Sequence, residues 1–358
     1  MNSIFKNALS RIDWWMLGAV VVLSGFGLAI IHSLTWGEDD RFLRQLLFFG
    51  LGLGLMFGIQ FLDIHFWRNA SFFIYALVII FLLGLIIFGE PVKGSRGWIF
   101  LWSFGIQPAE FAKLGTVFFL ATALEKFKFD LVRFSHLALA AVIIGVPFVL
   151  IASQPDFGAA FIIFLSGAVM VLYTGLDKKK LAVLILSGCA LVLVGWFVLL
   201  RDYQKERILT FLNPQSDPLE SGYNVIQSMV AIGSGGLFGK GLGLGTQSQL
   251  DFLPEQETDF IFASLAEELG FIGASAMIFA YLFFLWRIYI ILREGARPFS
   301  NFLMLGIFIM FFSQGAVNIG MNMGIFPVTG ITLPFVSYGG SSMIASFWAA
   351  GVAMNARA

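Results

Sequence analysis

Residues 252–273 read FLPEQETDFIFASLAEELGFIG, and in this stretch an acidic, polar segment turns apolar within a few residues. It closes a glycine-rich polar region that runs from Arg201 to Asp259 between two apolar regions. Such a change predicts the point at which the chain enters a membrane. Because several carboxylates, above all that of Asp259, are delivered to this boundary, the first hypothesis is chemistry at a lipid–water interface.

Composition supports a membrane location. Of the 358 residues, 58% are hydrophobic, 16% are aromatic and only 12% are charged, which is far from the balance of soluble proteins. A spanning helix needs about 20 mainly apolar residues. We therefore predict an all-α polytopic membrane protein with about ten transmembrane helices, in the runs 14–34, 45–62, 71–89, 106–124, 137–152, 157–175, 181–200, 260–286, 301–325 and 341–356.

The runs divide the chain into three parts. Residues 1–200 hold helices 1–7, residues 201–259 form a large extracytoplasmic loop, and residues 260–358 hold helices 8–10. No small-residue cleavage site follows the first run, so it is expected to remain as a helix. The positive-inside rule then places both termini in the cytoplasm. The cytoplasmic segments would collect Lys6, Arg11, Arg68, Lys126, Lys128, Arg133, Lys178, Lys179, Lys180, Arg287, Arg293, Arg297 and Arg357.

Two common kinds of site do not fit this sequence. Cys189 is the only cysteine and the three histidines are far apart, which argues against a disulfide framework and against a Cys/His metal site. The segment 231–250 fails the phosphate-binding loop pattern, because Ser234 stands for the first glycine and Gly241 follows Lys240 where Ser or Thr is required. Its glycines instead predict tight turns or close backbone packing at the membrane surface.

Two ionisable residues fall inside the predicted fourth span. Glu110 and Lys113 lie three positions apart in QPAEFAK, so they share a helix face and can form an ion pair directed into the bundle. The pair is either a structural salt bridge or part of a substrate cavity. Lys93 and Arg96 precede it on the same outer side, and such cations suit a phosphate.

Two aspartates lie at the outer starts of predicted helices. Asp156 is expected to cap the helix that follows, either as a cap alone or as a cap that also contacts substrate. Asp259 can likewise be explained as a helix N-cap, but an N-cap does not account for the acids beside it, such as Asp251 and Glu255. Because a partly dehydrated carboxylate is a better base than one in water, Asp259 is a candidate general base.

Five sequence blocks resemble a known family. They are QPAEFAK (107–113), QPDFG (154–158), FLNPQSDPLESGYNVIQS (211–228), the run 231–273 and VNIGMNMGIFPVTGITLPFVSYGGSS (317–342). Together they are similar to the SEDS family of bacterial shape, elongation, division and sporulation proteins, and to its elongation branch in particular. The resemblance implies a ten-helix peptidoglycan glycosyltransferase that polymerises lipid II on the outer face of the bacterial cytoplasmic membrane during cell elongation.

The resemblance also implies roles for individual residues and partners. Asp259 matches the family's essential loop aspartate, and Glu110 and Lys113 match an intramembrane acid and base that line the substrate cavity. The implied ligands are lipid II and membrane lipid. The implied protein partner is a class B penicillin-binding protein, a transpeptidase, inside the elongation complex, and no nucleic-acid partner is predicted.

The implied reaction needs one base and a stabilised leaving group. A sugar hydroxyl of one lipid-linked disaccharide attacks the anomeric carbon of another and expels a polyprenyl pyrophosphate. By analogy with inverting glycosidases, Asp259 would deprotonate the GlcNAc 4-hydroxyl. Cations would meet the charge of the pyrophosphate, or a divalent cation, Mg²⁺ or Mn²⁺, held by the pyrophosphate together with Glu255 would do so instead. The candidate substrate and pyrophosphate contacts are Lys93, Arg96, Lys113, Asp156, Arg201, Arg207 and Glu255.

Two other functions compete with this one. A lipid II flippase would place polar residues through the full depth of the membrane, whereas here they cluster at the outer ends of the spans. A non-catalytic scaffold for a transpeptidase would leave the acids of 251–259 without a task. Ser337 and Tyr338, which precede two glycines, are further candidates for substrate contact.

Overall fold

The computed structural model describes residues 11–35, 40–89, 97–101, 104–126, 134–175, 177, 179, 182, 188, 222–295 and 297–357. These residues are mostly helical, as predicted. The helices are α1 (Trp14–Thr35), α2 (Arg41–Ile59), α3 (Ile64–Phe88), α4 (Pro108–Lys126), α5 (Phe134–Ser153), α6 (Phe157–Leu172), α7 (Tyr223–Ser234), α8 (Thr246–Gln249), α9 (Ile261–Glu294), α10 (Pro298–Asn322) and α11 (Gly340–Asn355). A short antiparallel hairpin, β1 (Ile99–Leu101) and β2 (Phe104–Ile106), precedes α4.

Six of these helices are long and apolar enough to cross a membrane, namely α1, α2, α3, α5, α9 and α10. The protein is therefore a multi-pass membrane protein. Helices α4, α6 and α11 overlap three further predicted spans. The predicted seventh span, 181–200, lies outside the described residues except for two positions, so the count of ten remains a prediction. Within the predicted loop 201–259 the structure adds two helices, α7 and α8, that the sequence reasoning missed.

Helix α4 lies at the centre of the bundle. It packs against α3, α5, α6, α10 and α11, and most of its residues are buried. An ionisable side chain on this helix is surrounded by protein on nearly every side, which explains how Glu110 and Lys113 are removed from both lipid and water.

A buried aspartate marks one end of the bundle. The Asp13 carboxylate caps α1 by accepting hydrogen bonds from the backbone N–H groups of Trp15 and Met16. It also forms ion pairs with Arg287 in α9 and, at 3.5 Å, with Arg357 beyond α11. The start of α1 and the late part of α9 therefore lie together. The start of α9, with the acidic turn before it, lies at the opposite end of the bundle.

Helix α9 is broken near its first third. Gly270 has φ +67° and ψ −168°, which is not helical. A Cβ at Gly270 would lie 2.2 Å from the backbone nitrogen of Gly239. Because both the positive φ and the close approach exclude a side chain, glycine is required here. The glycine-rich segment that precedes the acidic turn packs into this break.

Candidate functional site

The acidic turn 251–260 carries Asp259 at the end of the bundle opposite Asp13. Asp259 is half-buried, and Gly330 approaches it so closely that a Cβ there would lie 3.5 Å from the Asp259 Oδ2 atom. The turn closes on itself, because the N–H groups of Thr258 and Phe260 both donate to the carbonyl oxygen of Glu255, at 3.2 and 3.1 Å.

Asp259 is not the cap of α9. The N-cap residue is Phe260, whose side chain makes no capping hydrogen bond. The amide oxygen of Asn322 in α10 instead accepts a hydrogen bond from the N–H of Ala263, at 3.0 Å. Asn322 therefore takes part in capping α9.

Two buried asparagines hold the backbone of Asp259. Asn318 and Asn322 are one turn apart in α10 and are fully buried. Their Nδ2 atoms donate to the carbonyl oxygen of Asp259, at 3.0 and 2.9 Å. The Asn318 amide also donates to the carbonyl oxygen of Ile331, at 2.7 Å. The sequence reasoning missed both residues, although polar side chains at i and i+4 in an apolar helix were a signal.

The segment after α10 completes the support of the turn. The Ser337 hydroxyl donates to the carbonyl oxygen of Thr258, at 2.6 Å, and the Tyr338 N–H donates to that of Glu257, at 2.8 Å. Gln45 of α2 donates in turn to the carbonyl oxygen of Ser337, at 3.1 Å. Ser337 is buried, so its hydroxyl serves the backbone of the turn, and this explains its place in the sequence without a substrate contact.

The predicted ion pair in α4 is present. Lys113 Nζ lies 2.7 Å from Glu110 Oε1, and the two side chains are only 3% and 8% exposed. A pair at this depth is costly unless both charges are well satisfied. The structure confirms the expected contact. The contact is compatible both with a structural salt bridge and with a role in a substrate cavity.

Asp156 caps α6, as predicted. Its carboxylate accepts from the N–H of Ala159 at 2.9 Å and from the side-chain amide of Gln107 at 3.1 Å. Burial raises the pKa of Asp156 above its ordinary value, and the hydrogen bond from Ala159 and the charge of Lys113 only partly oppose this effect. The start of α6, the end of β2 and the start of α4 therefore share one polar cluster.

One backbone segment connects this cluster to Asp259. Gly158, two residues after Asp156, lies so close to 329–331 that a Cβ there would be 2.8 Å from the carbonyl oxygen of Thr329. Gly330, in the same segment, is the residue that approaches the Asp259 carboxylate. Gly158 and the Asp259 carboxylate thus both lie beside the segment 329–331.

Glu255 lies on a cavity of about 610 Å³ beside the turn. Its carboxylate accepts from the Thr258 hydroxyl at 3.1 Å. The cavity is lined by Leu34, Thr35, Arg41, Gln249, Asp251, Leu253, Pro254, Glu255, Gln256 and Glu257, without Asp259. Arg41 forms an ion pair with Glu257 across it. In the part of the chain that the structure describes, no three His, Cys, Asp or Glu side chains converge as metal ligands.

Four of the predicted pyrophosphate contacts cannot be placed. Lys93, Arg96, Arg201 and Arg207 lie outside the described residues.

Two carboxylates at the start of α9 have roles that the sequence reasoning did not assign. Glu267 is fully buried and forms a 2.7 Å ion pair with Lys240. It also accepts from the N–H groups of Gln247 and Ser248, both at 2.9 Å. Glu268 accepts from the Ser33 hydroxyl. Both carboxylates therefore tie the glycine-rich segment to the bundle.

Comparison with known proteins gives a consistent result. Residues 8–358 match the FtsW/RodA/SpoVE family, described as cell cycle proteins. The chain is 35% identical over 347 residues to peptidoglycan glycosyltransferase MrdB of Escherichia coli K12, covering 96% of this chain and 93% of that protein. It is 39% identical over 355 residues to stage V sporulation protein E of Bacillus subtilis 168, covering 96% of each.

Solved structures resemble the fold over almost its whole length. One is a chain from a study of how a peptidoglycan synthase complex coordinates polymerization and crosslinking. It matches with a TM-score of 0.82 and 30% sequence identity, and the match covers 96% of this chain and 97% of that chain. Another is the rod shape determining protein RodA of Thermus thermophilus, which matches with a TM-score of 0.72 and 29% sequence identity over 96% of each chain.

Proposed function

The chain belongs to the FtsW/RodA/SpoVE family of cell cycle proteins, and we propose that Asp259 is the general base of a peptidoglycan glycosyltransferase that polymerises lipid II. Relatives that match nearly the full length of the chain carry the name peptidoglycan glycosyltransferase. The chemistry then has to be assigned to residues of this chain.

The observation that carries the assignment is how Asp259 is held. Its backbone carbonyl accepts two amide donors from α10, while the start of α9 is capped by Asn322. Its side chain lies beside Gly330, where no Cβ limits the approach of a reactant. A carboxylate whose backbone is fixed in this way is suited to accept a proton from a positioned hydroxyl.

The proton and electron changes follow from this placement. The 4-hydroxyl of the acceptor GlcNAc attacks the anomeric carbon of the donor, and its proton passes to Asp259. The bond from that carbon to the pyrophosphate oxygen breaks, and the electron pair leaves with the polyprenyl pyrophosphate. We assign the stabilisation of that charge to Lys93, Arg96, Arg201 and Arg207, since the Lys113 ammonium is already engaged by Glu110. A divalent cation beside Glu255 is the alternative.

The membrane arrangement and the partners are part of the same proposal. Both termini would be cytoplasmic, which puts the acidic turn on the outer face, where lipid II is polymerised. The similarity to a chain of a synthase complex that couples polymerization with crosslinking supports a class B penicillin-binding protein, a transpeptidase, as the partner within the elongation complex.

The test uses the purified full-length protein in liposomes that contain lipid II and no other polymerase. Glycan strands separated by gel electrophoresis are the expected product. A parallel assay measures movement of fluorescent lipid II between the leaflets. Movement without strands would indicate a flippase, and neither strands nor movement would indicate a scaffold, so either result overturns the proposal. Adding a chelator to the polymerisation assay distinguishes a divalent cation from protein cations.

A further inference from the structure

We propose that residues 236–244 dip into the outer leaflet of the membrane and contact lipid acyl chains through Leu237, Phe238, Leu242 and Leu244. These four side chains are 64%, 79%, 49% and 67% exposed. They belong to the predicted extracytoplasmic loop 201–259, whose glycine-rich part the sequence places at the membrane surface.

The depth of the segment follows from its contacts with α9. The N–H groups of Phe271 and Ile272 donate to the carbonyl oxygens of Gly236 and Leu237, at 2.9 and 3.1 Å. Segment and helix therefore lie at the same height. Phe271 and Ile272 are themselves 66% and 53% exposed.

The other end of α9 gives a reference point for depth in the membrane. Trp286 is half-exposed and is followed by Arg287, which pairs with buried Asp13. An exposed tryptophan beside a basic residue is typical of the membrane–water interface. The fifteen residues from Phe271 to Trp286 span about 22 Å of helix, which is less than the hydrocarbon thickness of about 30 Å. Phe271, and with it the segment 236–244, therefore lies within the outer part of the hydrocarbon core.

Irregular backbone at this depth must satisfy its polar groups within the protein. Several N–H groups of the segment have such partners. The N–H of Gly239 donates to the carbonyl oxygen of Gly235 at 2.8 Å, and the N–H groups of Lys240 and Gly241 donate to the carbonyl oxygens of Glu267 and Glu268 at 3.0 and 2.9 Å. The N–H of Gly243 donates to the Ser33 hydroxyl at 2.8 Å.

The one charged side chain of the segment is also paired. The ammonium of Lys240 lies 2.7 Å from the buried carboxylate of Glu267. Charge and backbone polarity are thus turned toward the bundle, while the outer surface is left to leucine and phenylalanine. An aqueous loop has no need of this arrangement, whereas a lipid-facing one does.

The exposed apolar surface of the segment is continuous with the lipid-facing surface of α9, and this continuity indicates that lipid contacts it. Phe279 and Leu282, farther along α9, are 72% and 54% exposed and lie at the middle of the spanning helix, where acyl chains surround it. Phe271 extends this surface upward, and Phe238 and Leu237 extend it onto the segment. The apolar side chains would hold the acidic turn, which follows in sequence, at the boundary where lipid-linked molecules are presented.

Spin labelling tests the proposal directly, because Cys189 is the only native cysteine. In a Cys189→Ala background, Phe238→Cys and Leu244→Cys carry a nitroxide, and the protein is placed in vesicles of phosphatidylethanolamine and phosphatidylglycerol. Collision rates are measured with oxygen, which concentrates in lipid, and with a water-soluble nickel chelate. Phe279→Cys is the lipid-facing control and Asp40→Cys, with a side chain 78% exposed, is the aqueous control.

We expect labels at 238 and 244 to collide severalfold more often with oxygen than with the nickel chelate, as the label at 279 does. A nickel collision rate equal to that at position 40 would mean that the segment lies in water, and would overturn the proposal. Low rates with both reagents would mean that protein covers the surface, and would overturn it equally. Because both substitutions replace exposed side chains, neither removes core packing.

Discussion

Asn318 holds Asp259 by its backbone: the side-chain amide in α10 lies 3.0 Å from the Asp259 carbonyl oxygen and donates a hydrogen bond to it. The same amide donates to Ile331 in the segment that passes beside the Asp259 carboxylate. One buried side chain therefore fixes both the residue proposed as the base and the backbone that faces it.

Asn318→Ala should lower both stability and catalysis. The substitution removes the donor of the Ile331 carbonyl oxygen, which costs about 1–3 kcal/mol and would be detected by thermal unfolding. The Asp259 carbonyl oxygen keeps Asn322 as its donor but loses the second amide that holds it in place. Because a displacement of about 1 Å can cost roughly 100-fold in rate, we expect kcat for lipid II polymerisation to fall at least tenfold in protein that remains folded.

Asn355→Ala is the matched control for this variant. Asn355 is also a buried asparagine, and its amide also donates to two carbonyl oxygens, those of Ile59 and Leu62. It lies at the other end of the bundle, so we expect a similar loss of stability with kcat unchanged. Equal effects of the two substitutions on kcat would show that Asn318 acts on the fold alone.

Asp259→Asn should abolish polymerisation while the protein stays folded. The amide keeps the size of the carboxylate but cannot accept the proton, and the loss of a general base typically costs about 10²–10⁴ in rate. The measurements are strand formation, lipid II binding and melting temperature. Asp40→Asn changes an exposed aspartate and should polymerise normally. Wild-type strand formation by Asp259→Asn would disprove the base assignment.

Lys240→Met should destabilise the protein. The substitution leaves the fully buried Glu267 without its cation, and removing one partner of a buried pair costs about 3–5 kcal/mol. We expect the lower end of this range, since Lys240 is 26% exposed and Glu267 keeps three further donors from Gln247 and Ser248. Denaturant unfolding in detergent measures the loss.

The exposed pair of Arg68 and Glu125 provides the comparison. Its atoms are 3.6 Å apart and the side chains are 39% and 25% exposed, so Arg68→Met should cost less than about 1 kcal/mol. Adding Glu267→Gln to Lys240→Met should recover part of the lost stability. If Lys240→Met and Arg68→Met cost the same, the buried pair is not what anchors the glycine-rich segment.

Asp156 should give a pH dependence of known sign. Because burial raises the pKa of Asp156 above 3.8, the folded protein binds the proton more readily than the unfolded chain, and stability falls as pH rises from 3.8 through the folded pKa. The melting temperature of the native protein minus that of Asp156→Asn should therefore decrease over this window and then become constant.

Asp63 supplies a control with the opposite sign. A hydrogen bond from the N–H of His65 lowers the pKa of Asp63 below 3.8, so its contribution is present above 3.8 and is lost as pH falls through the folded pKa. The melting temperature of the native protein minus that of Asp63→Asn should therefore rise with pH below 3.8. If both differences change in the same direction, the shift assigned to Asp156 is wrong.

Local spacing predicted the parts of the site that depend on neighbours in sequence. The i, i+3 positions of Glu110 and Lys113 fixed their contact, and Asp156 directly before an apolar run fixed its role as a cap. Apolar runs of sufficient length likewise placed most of the described helices to within a few residues, but α3 begins seven residues before its predicted run and α9 ends eight residues after its own.

Contacts between distant segments were not predictable in this way. Asn318 reaches the acidic turn directly from α10, and Gln45 of α2 supports it through Ser337. Helix α7 was read as loop because its 12 residues are too few for a membrane span, and a helix of this length is stabilised by packing, here against α9, more than by its own propensity. The break at Gly270 depends on Gly239, which is 31 residues earlier.

Variants of Glu110 and Lys113 can separate an effect of this ion pair on stability from an effect on polymerisation. Lys113→Met alone leaves a carboxylate buried without a cation, and should cost about 3–5 kcal/mol. Glu110→Gln combined with Lys113→Met removes both charges at similar volume, and replacing a buried ion pair in this way is often neutral for stability. The double variant should therefore regain the melting temperature. We expect its polymerisation to stay low, because the pair lies in the same polar cluster as Asp156, on which both charges act. Native polymerisation by the double variant would show that the pair serves the fold alone.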